Sequence, residues 1–217
     1  MKKLFIFFIV IINAIFSIFV SNAYEINNHV YGRFSIGIGW TVQNIIVYNQ
    51  GNKYTDNDLK KHINNALLIG MGNNFYFNID RLIHPFIGME SYGRILLQGE
   101  SYKDIEVEKT KYQQKYKELF MAHVKIGSKF NIKNTLSISP YFFTGFNISM
   151  LQMSIDKPVL LTNNKYYANL SIGVALEVLL YNRFIFGIEY RFSKMNHKYT
   201  YQLNNHNLGL KFSVELF

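Results

Sequence analysis

The chain has 217 residues with 23 Lys and Arg against 14 Asp and Glu, a formal charge of +9, and no cysteine. That composition excludes a disulfide framework, a thiolate nucleophile and any cysteine-based metal site. The positive balance comes without a basic cluster or a recognised nucleic-acid module, so nucleic acid is not among the expected partners.

The first element is a leader. Met1-Lys2-Lys3 is basic, Leu4 to Val20 is apolar except for Asn13 and Ser17, and Ser21-Asn22-Ala23 supplies small residues for cleavage after Ala23. This reads as a secretory signal peptide over 1–23, with one mature domain over 24–217. After Ala23 no uncharged apolar run reaches the roughly 18 residues of a transmembrane helix. If the mature chain crosses a membrane it must therefore do so as a closed barrel, because hydrocarbon cannot satisfy open backbone groups.

Eight runs of period two follow, and abundant Tyr, Phe and Ile favour strands. The first spans about 30–40, with Val30, Phe34, Ile36, Ile38 and Trp40 opposite Arg33, Ser35, Gly37 and Gly39. The second spans about 65–77 on Leu67, Ile69, Met71, Phe75 and Phe77; Asn73-Asn74 interrupts it and predicts a bulge. The third, about 82–95, sets Ile83, Ile87 and Met89 against His84, Gly88, Glu90, Tyr92 and Arg94. The fourth, about 119–132, sets Phe120, Ala122, Val124, Ile126 and Phe130 against His123, Lys125, Gly127, Lys129 and Asn131.

The fifth, about 135–150, carries Leu136, Ile138, Phe142, Phe146 and Ile148 on one face. The sixth, about 166–180, alternates from Ala168 to Leu180 without interruption, with Asn169, Ser171, Gly173, Ala175 and Glu177 between. The seventh, about 184–194, sets Phe184, Phe186, Ile188, Tyr190 and Phe192 against Gly187, Glu189, Arg191 and Ser193. The eighth runs from His206 to the end, with Leu208, Leu210, Phe212, Val214 and Leu216 opposite Gly209, Lys211, Ser213 and Glu215. Gly37, Gly39, Gly70, Gly72 and Gly173 lie within strands, where glycine gives curvature and interior room rather than a phosphate loop.

Connections alternate between short turns (78–81, 131–134, 181–183) and longer polar segments (41–64, 96–118, 151–165, 195–205). This is the wiring of an all-β, eight-stranded, antiparallel up-and-down transmembrane barrel. An even strand count puts both termini on the short-turn side, the periplasm, and the long segments outside. The apolar faces hold large Phe, Ile and Leu residues almost without charge, while the other faces hold Gly, Ser, Asn and a few charges. Lipid outside and a narrow polar interior suit that division; the competing arrangement is an exported lipocalin-like barrel with its apolar face inside.

With lipid outside, Arg33, Arg94, Lys125, Lys129, Arg191 and Lys211 point inward, as do Glu90, Glu177, Glu189 and Glu215. Charges in so narrow a space must pair or stay hydrated. Strand heights suggest Arg33 with Glu215, Glu90 with Lys125, and Glu189 with Lys211. His84 and His123 fall in the interior, and His29 near the entry, while His62, His197 and His206 read as exposed loop residues. The histidines lack ligand spacing with nearby carboxylates, so no metal or other cofactor is expected. The charged stretch in 96–118, Glu118 included, reads as a solvated loop or a strand extension beyond the bilayer.

Ile83-His84-Pro85-Phe86-Ile87-Gly88-Met89, Ser139-Pro140-Tyr141-Phe142, Gly187-Ile188-Glu189-Tyr190-Arg191-Phe192 and the terminal Phe217 carry a resemblance. The pattern resembles the small OmpA-like and OmpX-like outer-membrane barrels of Gram-negative bacteria, often catalogued as porin-like surface proteins, from about Val30 to Phe217. The resemblance implies an integral outer-membrane protein in contact with lipid, with Phe217 read by the barrel-assembly machinery. Phe217 departs from the pattern in being out of phase with Leu216 and Val214, so either a terminal bulge restores it or Leu216 is the outward end.

Three functions fit this sequence. The first is a structural or binding surface protein, an adhesin or antigen, meeting host or environmental ligands through the segments 41–64, 96–118, 151–165 and 195–205, which hold or adjoin Tyr48, Tyr54, Tyr102, Tyr112, Tyr116, Tyr166, Tyr167, Tyr199 and Tyr201. The second is a small passive porin, although eight strands leave little lumen. The third is a lipid A-modifying barrel enzyme. His197-Lys198-Tyr199-Thr200 lies at a suitable place, but the family's His-X-Ser-Asn sequence is absent. No serine stands beside His197 to serve as nucleophile, so no catalytic residue is assigned.

Overall fold

The computed structural model describes the backbone of residues 30–49, 52–53, 64–98, 101–107, 110–156, 161–196 and 201–216, with side chains for 30–43, 66–95, 118–150, 165–194 and 204–216. The expected leader 1–23 and Phe217 lie outside the described residues. The strands are β1 (Val30–Asn49), β2 (Asn52–Lys53), β3 (Asn64–Phe77), β4 (Ile83–Gln98), β5 (Ser101–Val107), β6 (Thr110–Lys133), β7 (Leu136–Asp156), β8 (Leu161–Leu180), β9 (Phe184–Asn196) and β10 (Tyr201–Glu215).

Eight of these form the wall, each paired antiparallel with its neighbours in the order β1, β3, β4, β6, β7, β8, β9, β10. The cylinder closes between β10 and β1, in register from Ser35↔Glu215 to Asn49↔Tyr201. β2 folds back on the end of β1, and β5 pairs with the upper part of β6. The chain is thus a closed, all-antiparallel, eight-stranded barrel.

Side chains alternate across this wall as strand geometry requires. Phe142 and Leu170 point outward and are 73% and 70% exposed, and Ile38, Ile126, Ile172 and Leu210 are exposed with them. Their neighbours one residue away point inward and are buried. Water would not tolerate so continuous an apolar exterior, whereas hydrocarbon does, and backbone hydrogen bonding around the closed ring leaves no open edge at that depth. The lipocalin-like alternative, with the apolar face inside, does not describe this barrel.

The strands are longer than the apolar alternation indicates. The segments 41–64, 96–118, 151–165 and 195–205, expected as loops, are partly strand. β1 continues to Asn49, β6 begins at Thr110, β7 continues to Asp156, β8 begins at Leu161 and β10 at Tyr201. Hydrophobic alternation ends where lipid ends, but ladder hydrogen bonds do not need lipid and carry on above it. The expected bulge at Asn73-Asn74 is absent, since Asn73 and Asn74 pair in unbroken register with Phe34 and Arg33 on one side and Met89 and Gly88 on the other. Asn74 instead takes an interior place, its Nδ2 donating to the Tyr76 hydroxyl at 3.2 Å. Register shifts fall elsewhere, at Asn65/Ala66, Glu118/Phe120 and Asn131/Lys133.

Interior aromatic rings lie where glycine leaves room. A Cβ on Gly173 would stand 2.2 Å from Phe143 Cζ, and one on Gly70 2.2 Å from Tyr92 Cδ1. At the short-turn end the connections are tied to one another: Tyr181 N donates to Thr135 O at 2.7 Å, Asn131 N to Leu82 O at 2.8 Å, and Glu215 N to Arg183 O at 2.8 Å. Tyr181 and Asn182 hold left-handed backbone, with φ of 53° and 54°, a conformation that costs a tyrosine more than an asparagine.

Two outcomes test this packing by urea unfolding from detergent or lipid. Gly173→Val is expected to lose about 1–3 kcal/mol through overpacking, with part of the loss recovered on adding Phe143→Ala. Tyr181→Gly is expected to gain about 0.5–1 kcal/mol by relieving left-handed strain.

Candidate functional site

The interior is crossed by charge at three heights. At the short-turn end the Arg33 guanidinium makes an ion pair with Glu215 and also donates to Asn182 O at 3.1 Å, which fixes the turn between β8 and β9. Lys129 sits nearby, buried, with its Nζ 5.4 Å from the centre of the Tyr76 ring. Tyr76 stacks on Tyr31 at 5.0 Å, so aromatic faces line this end beside the cations. His84 Nε2 is 2.8 Å from Asn131 Nδ2.

In the middle, Glu90 is the acceptor around which two lysines gather. Lys211 donates to its Oε1 at 2.8 Å and Lys125 to its Oε2 at 3.2 Å. Lys211 also pairs with Glu189 at 2.6 Å, and Lys125 lies 3.9 Å from Glu177. Tyr141 donates its hydroxyl proton to Glu177 at 2.7 Å, and Tyr92 donates to Glu90 at 3.3 Å. His123 joins the layer, with Nδ1 3.8 Å from Glu90 Oε1 and Nε2 3.1 Å from Ser171 Oγ.

The upper layer is built on Glu118. Arg94 and Arg191 donate to its Oε2 at 2.6 Å and 2.7 Å, while Asn147 and Asn205 donate to its Oε1 at 2.9 Å and 2.8 Å. Donors from β4, β9, β7 and β10 converge on this one carboxylate, which is 2% exposed. Charge-assisted bonds of this kind are strong, and a buried carboxylate needs them.

Of the ten charged residues expected inside, nine are buried and Arg33 is half-buried. The pairs Arg33–Glu215, Glu90–Lys125 and Glu189–Lys211 are in contact. Glu118 is the correction: it lies on β6, as the strand-extension alternative has it, but it is buried rather than solvated. Pairing passes from Glu118↔Ser149 to Phe120↔Ile148 and skips Leu119. That extra residue turns Glu118 inward although it shares parity with outward Val124 and Ile126. The clue in the sequence is arithmetic: six inward cations stand against four carboxylates, and Glu118 supplies a fifth.

His206 also departs from expectation. It lies on β10, half-buried on the outer surface, with Nδ1 2.6 Å from the Tyr190 hydroxyl and its ring beside Phe192. Of the expected tyrosine-rich surface, Tyr166 is exposed and Tyr167 half-buried. His29, His62 and His197 lie outside the described residues. Among the described residues no group of three His, Asp or Glu side chains is placed to hold a metal ion.

Removing the Glu118 carboxylate leaves two buried guanidiniums facing one another, so Glu118→Ala is expected to cost about 3–5 kcal/mol. Glu215→Ala frees an arginine that is already partly solvated and is expected to cost about 1–2 kcal/mol. Urea unfolding of the two variants side by side checks the order; equal losses would contradict the hub role of Glu118.

No protein-family model matches the chain, and no curated protein sequence matches it. Among solved structures the barrel is similar to Ail, the attachment invasion locus protein of Yersinia pestis, with 16% identity over 84% of this chain and 98% of that chain and a TM-score of 0.40. It is similar also to Neisserial surface protein A (10% identity, 84% and 97% covered, TM-score 0.39) and to the outer membrane protease OmpT from Escherichia coli (8% identity, 87% and 96% covered, TM-score 0.37). These are distant likenesses, and no activity follows from them.

Proposed function

We propose that the chain is an integral outer-membrane protein whose external strands form a binding surface for host or environmental ligands, acting as an adhesin-like or structural surface protein. In this reading residues 1–23 are removed as a signal peptide, 24–217 form the barrel, and both termini stand in the periplasm. The barrel-assembly machinery reads the end of β10, with Phe217 as the terminal signal.

One observation carries the reading: the wall outgrows the bilayer. A tilted strand crosses the hydrocarbon in about 9–11 residues, yet β6 has 24 and β7 has 21. Their pairing runs on to Lys111↔Asp156, and β5 and β8 join them above the barrel. Among the described residues, 101–107 of β5 pair with β6 alone and 161–170 of β8 with β7 alone. A projecting sheet with two open edges offers backbone N–H and C=O groups to an extended partner segment, the mode of strand addition.

The filled interior weighs against the passive porin. Ion pairs and aromatic rings cross it at three heights, and the side chains of Arg94, Glu118, Arg191, Lys211 and Glu90 are almost fully buried. The lipid A-modifying enzyme gains no support: the described serine–histidine contact, Ser171 Oγ at 3.1 Å from His123 Nε2, is buried in the barrel interior, where no lipid reaches it.

Protease treatment of intact cells is expected to cut within 41–64, 96–118, 151–165 and 195–205 and to spare the turns at 78–82, 134–135 and 181–183. The purified protein should migrate differently on a gel before and after boiling and stay silent in planar bilayers. Deleting 99–117 should keep the boiling shift but abolish attachment to surfaces or cells. Stepwise conductance, or solubility as a monomer without detergent, would overturn the reading.

A further inference from the structure

The short-turn rim carries cations of its own, outside the interior network. Arg81, Lys133 and Arg183 stand at the turns between β3 and β4, β6 and β7, and β8 and β9, and all are exposed. Each lies within two residues of a large exposed apolar side chain. Ile79 and Leu82 flank Arg81, Ile132 precedes Lys133, and Tyr181 and Phe184 flank Arg183; Ile79 and Tyr181 are 76% and 72% exposed. Asp80 is the one carboxylate on these turns.

The fold spaces these groups and holds them still. Two staves separate each turn from the next, so the turns occupy three quarters of the circumference and the β10–β1 seam the fourth. Asn131 ties the first two turns, its Nδ2 donating to Arg81 O at 3.0 Å, and Asn182 Nδ2 ties the next two by donating to Asn134 O at 3.2 Å. Arg81 and Arg183 enter these ties through backbone oxygens, which leaves their guanidinium groups out of the frame. The apolar outer face runs down to Phe77 and Phe130. The cations just beyond it stand at the height where hydrocarbon gives way to headgroups.

We propose that this rim is a binding surface for anionic phospholipid headgroups of the leaflet facing the periplasm. Each turn sets a headgroup phosphate against its cation and the upper acyl chain against its apolar neighbours. Cations beside amphipathic and apolar side chains favour the membrane interface, and a negatively charged headgroup adds an attraction that a zwitterionic one, which carries its own cation, does not. The inference rests on the outer-membrane reading but not on what the external strands bind.

The test places the folded protein in phosphatidylcholine bilayers and compares how much spin-labelled phosphatidylglycerol and phosphatidylcholine it immobilises. Phosphatidylglycerol is expected to be favoured about twofold or more, and less so as salt rises. Arg81→Gln, Lys133→Gln and Arg183→Gln combined are expected to keep the boiling shift and to remove most of that preference. Each substitution alone should remove part of it, and Asp80→Asn should strengthen it. Lys165 and Lys194 are exposed toward the opposite end, so a triple variant with its preference intact would move the effect to that end and overturn the proposal. Equal immobilisation of the two lipids by the unaltered protein would overturn it as well. Failure to enter phosphatidylcholine bilayers at all would instead overturn the outer-membrane reading, and this inference with it.

Discussion

Closure of β10 onto β1 is the constraint from which the rest of this barrel follows. Backbone N–H and C=O groups in hydrocarbon must find partners within the protein, and the ladder from Ser35↔Glu215 to Asn49↔Tyr201 supplies them where an open sheet would fail. Once the ring is closed, strand geometry leaves each side chain only two directions. Most large apolar residues go to lipid, and the polar and charged residues go into a narrow interior together with a few rings and aliphatic side chains such as Phe143 and Leu68. Lysines and arginines on those strands cannot reach bulk water across the wall, so they need carboxylates from other strands.

The partners are far apart in the chain. Glu118 and Arg191 are separated by 73 residues, Glu90 and Lys211 by 121, and Arg33 and Glu215 by 182. Each pair therefore links staves that are distant in the chain, and each forms only when those staves share the correct register. A one-residue slip would send every inward charge to the lipid side. The ion pairs thus act with the backbone ladder to specify one register, and the rings over Gly70 and Gly173 fill the room that remains.

The same ladder serves two solvents. In the lower part, alternation of Ile, Leu and Phe is enforced by hydrocarbon. Above it, β5, β6, β7 and β8 keep their pairing without the apolar pattern. Glu118 sits close to this change, where the skipped Leu119 turns the side chain inward and gathers four donors from four strands. The filled interior and the projecting sheet are thus two consequences of one continuous ladder, one excluding passage and the other offering an external edge.

The sequence by itself determined the eight runs, the alternation of short and long connections, the inward set of charges and three of their pairings. Period-two alternation is a local property of the extended chain, and lipid outside makes it legible in every strand from Ile36 to Leu216. Only the tertiary structure decided where the strands end, that Asn73-Asn74 stays in register, that His206 meets Tyr190, and that Glu118 points inward. These depend on pairing between strands distant in sequence. A single extra residue, such as Leu119, reverses the facing of its neighbour without leaving a trace in local composition, because a bulge is fixed by its partner strand and not by its own residues.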